Sequence, residues 1–143
     1  MITTLEKLNS TQRLLRITFG LVPVAAGLDK FFNLLTVWAQ YLDPRFAELL
    51  PFSPQTFMHI VGVVEIVAGL IVLSRFTAVG AYIVSAWLAL IAVTLIVSGK
   101  YLDVAVRDVV MSVGAYTLVS LTQISHSAET AAGRETAPHT VTA

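Results

Sequence analysis

Four long apolar runs, separated by short polar joints, organise the chain. They cover 14–35, 57–73, 78–97 and 104–124. The second holds a single glutamate, the third holds no charge, and the fourth starts polar and turns apolar after Asp108. Crossing a hydrocarbon core of about 30 Å takes roughly 20 apolar residues as a helix. A soluble all-α bundle would need a polar face on each helix, and 78–97 has none. The pattern predicts an all-α integral membrane protein, a four-helix transmembrane bundle within 1–124 that carries a polar tail at 125–143.

The joints add detail. Residues 36–56 form the one long connection. Trp38, Tyr41, Phe46 and Phe52 suit headgroup depth, where amphipathic rings are favoured. Pro44 is placed to open a short interfacial helix through Leu50, with Pro51 and Pro54 closing it. The tail lacks apolar periodicity and is rich in Thr and Ala, a composition that predicts disorder. Arg13 and Arg16 before an apolar run, with Ala25, Ala26 and Gly27 after it, also fit a signal peptide. The run continues through Phe31, Phe32, Leu34 and Leu35, which favours an uncleaved helix.

Composition agrees with this reading. Of 143 residues, 56% are hydrophobic and 13% charged, against about 45–50% and about 25% in a soluble domain. Net charge is +0, so no basic patch points to nucleic acid. The absence of cysteine excludes disulfides and thiolate chemistry. Lys7, Arg13 and Arg16 precede the first run and Arg75 lies in the second-to-third joint. Placing these in the cytoplasm gives an N-in, C-in topology.

With helices alternating in direction, the ionisable residues in the spans gather in the outer leaflet. Asp29, Lys30 and Asn33 end the first helix. His59 lies about one turn into the second, and Glu65 roughly 10–12 Å below the same surface. Asp103, Arg107 and Asp108 begin the fourth. Glu65 shares a helix face with Gly62 and Gly69, Lys30 follows Gly20 and Gly27, and Arg107 lies seven residues before Gly114. Small residues mark close helix approach, so Lys30, Glu65 and Arg107 should point inward, with Asp29 facing the interface, another helix or Arg107. A charge at mid-membrane costs at least ~2.5–3.5 kcal/mol, so Glu65 should pair with Lys30 or Arg107, or stay protonated. Two uses fit the cluster: an ion-paired network that fixes helix register, or an outward-opening polar pocket for a small head group or a proton relay.

Other chemistries fit poorly. His59 and His126 fall at opposite membrane faces and cannot share one haem. The metalloprotease, phosphate-loop and hydrolase motifs are missing, so no intrinsic cofactor or metal is expected. Asp103 and Arg107 at i, i+4 suit a local helix pair.

The stretches "RLLRITFGLVPVAAGLDKFFNLLTVW" and "VGVVEIVAGLIVL" resemble the DoxX-like family of small bacterial membrane proteins over about residues 12–124. The pattern is an arginine entering the first helix (Arg13 or Arg16), Gly27 with Lys30 near its end, and Glu65 with Gly69 in the second. The resemblance implies a four-helix protein of the bacterial cytoplasmic membrane. Several relatives are tied to respiratory or redox assemblies, including a quinol oxidase and a thiosulfate–quinone oxidoreductase. The expectation is a non-catalytic accessory subunit of a quinone-linked oxidoreductase assembly, in contact with lipid and with a larger membrane complex or its own copies. The alternatives are a quinone- or small-molecule-binding protein using Lys30, Glu65 and Arg107 as polar contacts beside Trp38, Trp87 and Tyr82, and a proton-linked transporter acting as an oligomer.

Overall fold

The structure, a computed structural model, describes residues 3–135. Four long helices and a folded-in connection make up these residues. α1 spans Thr4–Phe32, α2 is the single turn Pro44–Ala47, α3 spans Pro54–Leu73, α4 Thr77–Ser98 and α5 Leu102–Glu135. A 3-10 turn, Trp38–Tyr41, precedes α2.

Local chemistry fixes the ends. Thr3 and Glu6 form a reciprocal capping box at the start of α1, satisfying two backbone donors. At its end Asn33 takes a left-handed conformation, φ 51°, which asparagine tolerates better than most residues. Ser53 caps α3 ahead of Pro54 at its first position, where the missing N–H costs nothing. Gly99, at φ 68°, ends α4.

α1 and α3 run antiparallel and nearly touch. A Cβ added to Gly27 would lie 2.5 Å from the Gly62 carbonyl oxygen, and one on Gly62 would lie 2.6 Å from that of Gly27. One heptad away, a Cβ on Gly69 would lie 2.5 Å from the Gly20 carbonyl oxygen. Only glycine leaves room for such backbones. Arg16 of α1 donates from Nε to the Val72 carbonyl at 3.3 Å and from Nη2 to those of Leu73 and Ser74. It thus places a cation on the negative end of the α3 dipole.

All four long helices supply the core: Phe19 from α1, Ala68 and Val72 from α3, Ala81 and Val84 from α4, and Ala115, Leu118 and Val119 from α5. Most core residues are small, while Leu21, Val67, Leu70, Leu90 and Val113 stand outward and exposed. This is the distribution of a bundle in lipid, where close packing of small residues replaces hydrophobic burial as the force between helices. Between α4 and α5, Ser85 and Ser112 each donate a hydroxyl to the other's carbonyl, at 2.9 and 2.8 Å.

α3, α4 and α5 are each long and apolar enough to cross a membrane. The chain is therefore a multi-pass membrane protein in contact with lipid. α1, at 29 residues, is long enough, but its apolar stretch contains Arg16, Asp29 and Lys30.

Two expectations change. The interfacial helix is only the turn Pro44–Ala47, because beyond it the backbone tightens to i→i+3 bonds, Leu49 N to the Phe46 carbonyl at 3.1 Å and Leu50 N to that of Ala47 at 3.3 Å, ahead of Pro51, which has no N–H to continue it. The expected disorder of the tail does not hold up to Glu135. α5 has 34 residues, or about 51 Å of helix, and its final third is rich in Ala and Glu, which favour helix. That third also docks on the start of α1: Asn9 donates to Glu129 at 3.1 Å, Ser125 donates to Asn9, and Gln12 donates to Thr122 at 3.1 Å. The rest of the tail, 136–143, lies outside the described residues.

Candidate functional site

The close approach of Gly27 and Gly62 brings α1 and α3 near enough for the long side chains of Lys30 and Glu65, each one turn beyond its glycine along its own antiparallel helix, to meet across that contact. Lys30 Nζ donates to Glu65 Oε2 at 2.6 Å, with side chains 4% and 11% exposed. The indole of Trp38 covers this pair: Lys30 Nζ lies 3.7 Å from the ring centroid. Trp38 Nε1 donates to Asp29 Oδ2 at 2.7 Å.

Asp29 has a second task. After α1 ends, the chain turns sharply, and its amides lose their helical acceptors. Asp29 Oδ1 accepts from Leu34 N at 2.9 Å and Leu35 N at 3.1 Å. Asn33 Oδ1 accepts from Trp38 N at 3.3 Å. Irregular backbone near lipid needs such partners, and these two side chains supply them.

α4 and α5 complete the cluster. Asp108 is 4% exposed and acts electrostatically on Glu65, as Lys30 does on Asp108. The Trp87 indole N–H interacts with the Glu65 carboxylate but lies outside hydrogen-bond geometry, so its buried nitrogen has no hydrogen-bond partner. Lys30, Glu65, Trp87 and Asp108 thus bring one polar side chain from each long helix to one place.

Several sequence-predicted members sit elsewhere. Arg107 does not point inward. Its side chain is 61% exposed and pairs with its neighbour Asp108 at 3.1 Å. The inward residue of this turn is Asp108, which shares a face with the buried Ala105 and Ala115. Gly114 does face α1, where a Cβ would lie 2.7 Å from the Phe19 ring, but one heptad earlier that side of α5 is uncovered. Arg107 therefore partners neither Glu65 nor Asp29. Asp103 is exposed and forms no ion pair with Arg107. His59 flanks the cluster: it stacks on Phe31 at 4.8 Å and bonds Gln55 at 3.0 Å, and Gln55 in turn donates to the Lys30 carbonyl at 3.3 Å.

The aromatics of the long connection divide. Trp38 belongs to the cluster rather than to the headgroup layer. Tyr41 meets Tyr101 edge-on at 4.7 Å, and Phe46 and Phe52 are exposed. Below them Asp43, buried in the connection, accepts from Arg45 Nε at 3.2 Å and Nη2 at 2.9 Å. These bonds, with that to the Arg45 amide, hold its carboxyl below the usual carboxylate range and raise the Arg45 guanidinium.

Among the described residues, no three of His, Asp and Glu approach closely enough to hold a metal ion. Gln55 and the Ser85–Ser112 clasp were not singled out by sequence, whereas Trp87 was expected beside Lys30 and Glu65 in the quinone-binding alternative. Trp87 carried a signal, as the one indole in the charge-free helix.

Fold and site together define a small helical membrane protein built around a buried ion pair. The chain belongs to the DoxX family, whose family model matches residues 12–99. The match takes in α1 from residue 12 on, the long connection, α3 and α4 but not α5, and so is shorter than the resemblance seen in the sequence. No curated protein and no solved structure matches the chain.

Proposed function

We propose that α1 is a fourth span and that the protein serves as a non-catalytic subunit of a redox membrane assembly. Arg16, Asp29 and Lys30, the charges that interrupt the apolar stretch of α1, each have a partner. Arg16 lies on the carbonyls ending α3, Lys30 on Glu65, and Asp29 on two amides and an indole. Pairing of this kind lowers the cost of carrying charge through a bilayer. The proposed orientation is N-in, C-in, from the cations near the start of α1 and at Arg75.

One observation carries the accessory role: the polar cluster is closed by its own members, with Trp38 over Lys30 and a 2.6 Å ion pair beneath. Such a cluster fixes the register of four helices and leaves the outward apolar faces to other membrane subunits. The redox setting is what the family resemblance implies. The test is purification in a mild detergent followed by mass spectrometry. A co-migrating oxidoreductase is the expected result. A chain that always runs alone would remove the support for this role.

A second reading rests on the buried Trp87 N–H, which interacts with the Glu65 carboxylate but makes no full hydrogen bond. It is a buried donor beside Lys30 and Glu65, suited to an acceptor oxygen such as a quinone carbonyl. Quinone in the lipid extract of the purified protein, lost on Glu65→Gln, would favour it. An extract without quinone would count against it.

A further inference from the structure

We propose that a cleft between the long connection and the α4–α5 turn holds the phosphate of a phospholipid headgroup. The cleft has a volume of about 380 Å³ and is lined by Gln40, Tyr41, Asp43, Ser98, Lys100 and Tyr101, among others. It is separate from the Lys30–Glu65 cluster, none of whose members lines it.

The charge count favours an anion. Asp43 is already engaged by Arg45, which occupies both carboxylate oxygens. Lys100 lies within electrostatic reach of Asp43 but makes no ion pair with it. Of the lining residues only Asp43 and Lys100 carry charge, and with Asp43 held by Arg45 the Lys100 ammonium is the one lining charge in no ion pair. Gln40 is bound to Thr36 at 2.8 Å and Ser98 to the Leu95 carbonyl at 2.8 Å. The lysine ammonium, the two tyrosine hydroxyls and the second Gln40 amide N–H are the side-chain donors left.

Position favours a lipid as the source of the anion. The cleft sits between the last residue of one candidate span and the first of the next, at Ser98 and Leu102, and so at the membrane surface. Directly along the two helices from it, Val93, Ile96 and Val97 of α4 and Leu102 and Val106 of α5 are all at least half exposed. They form an apolar track for acyl chains, continuous with the lipid-facing surface of the bundle. Lysine and tyrosine both suit the level where headgroup meets chain.

The backbone adds a further sign. Tyr101 is a non-glycine residue at φ 55°, a left-handed conformation that is strained for a residue with a side chain. That turn sets its ring edge-on against Tyr41 at 4.7 Å, joining the two walls of the cleft. Strain of this kind gathers at ligand sites.

The test is native mass spectrometry of the full chain in detergent, titrated separately with phosphatidylglycerol, with diacylglycerol of the same chains, and with inorganic phosphate. Phosphatidylglycerol should be retained, and diacylglycerol should bind at least several-fold less well. Lys100→Gln should weaken phosphatidylglycerol roughly fivefold, the effect of one lysine near an anionic surface. Lys100→Arg and Arg75→Gln, the latter in the turn at the other end of the bundle, should retain it. Equal binding of diacylglycerol, or undiminished binding by a folded Lys100→Gln chain, would overturn the proposal. Displacement of the lipid by millimolar phosphate would assign the cleft to the free ion instead. Should Lys100→Gln fail to fold, the comparison of lipid with diacylglycerol on the unaltered chain decides alone.

Discussion

Removing one partner of the Lys30–Glu65 pair should be among the most damaging single changes in the bundle. At 2.6 Å and an effective dielectric of 20, the attraction is about 6 kcal/mol, part of which only offsets desolvation. Neutralising one partner leaves the other ion buried without compensation. Measured losses for such cases are about 3–5 kcal/mol, against about 0.6 kcal/mol for an ordinary hydrogen bond between membrane helices. Lys30→Met and Glu65→Leu should each lower stability by about 3–5 kcal/mol, or roughly 6–20 °C in Tm. The double variant should regain most of that loss, because an apolar pair of similar volume carries no desolvation cost. The assay is reversible unfolding of the four proteins in one detergent, read as a double-mutant cycle. A coupling energy under about 1 kcal/mol, the size of a neutral hydrogen bond, would refute the reasoning.

Other outcomes follow from the same contacts. Gly27→Ala and Gly62→Ala should each cost about 1–3 kcal/mol by overpacking two backbones, whereas Gly133→Ala, with nothing within 4 Å of its added Cβ, should be neutral or gain up to about 1 kcal/mol; thermal melts distinguish them. Trp38→Phe should lose the bond to Asp29, about 1.5–3 kcal/mol, and Trp38→Ala should lose more, since the cation–π contact goes too; with two tryptophans in the chain, either variant leaves Trp87 as sole reporter of the cluster. Because Arg45 lowers the folded pKa of Asp43, that contribution is fully present above the ordinary carboxylate value of about 3.9. It is lost as pH falls through the lowered folded value, so protease sensitivity of 36–56 should rise only in acid, and at neutral pH in Asp43→Asn. Ser85→Ala with Ser112→Ala should cost only about 1 kcal/mol.

How much of this could be read in the sequence varies by residue. The Lys30–Glu65 pair was legible because glycines at fixed heptad spacing marked the faces of α1 and α3 that meet. Arg107 and Asp108 were harder. They are neighbours about 100° apart on one helix, and the Gly114 stripe aimed at Arg107. The structure buries Asp108 because α5 packs most closely on α4, through Ala105 and Ala115. Trp38 could be placed only by knowing that the chain folds back after Asn33, which depends on Asp29 accepting two amides beyond the helix end. The extension of α5 was masked by threonine and polar content, although its alanines and glutamates favour helix, and the contacts with Asn9 that hold it are distant in sequence. The Ser85–Ser112 clasp had no signal, since serine in an apolar span bonds its own helix just as readily.

The charge-paired α1 as a membrane span is the claim on which the rest depends. The chain has no cysteine, so single cysteines can be introduced at Ser10 and Gln40, before and after the apolar part of α1, and labelled in intact cells with a membrane-impermeant maleimide. Gln40→Cys should be labelled from outside, and Ser10→Cys only after permeabilisation. The reverse pattern would keep the span and invert the orientation. Labelling of both positions from the same side would show that α1 does not cross the membrane.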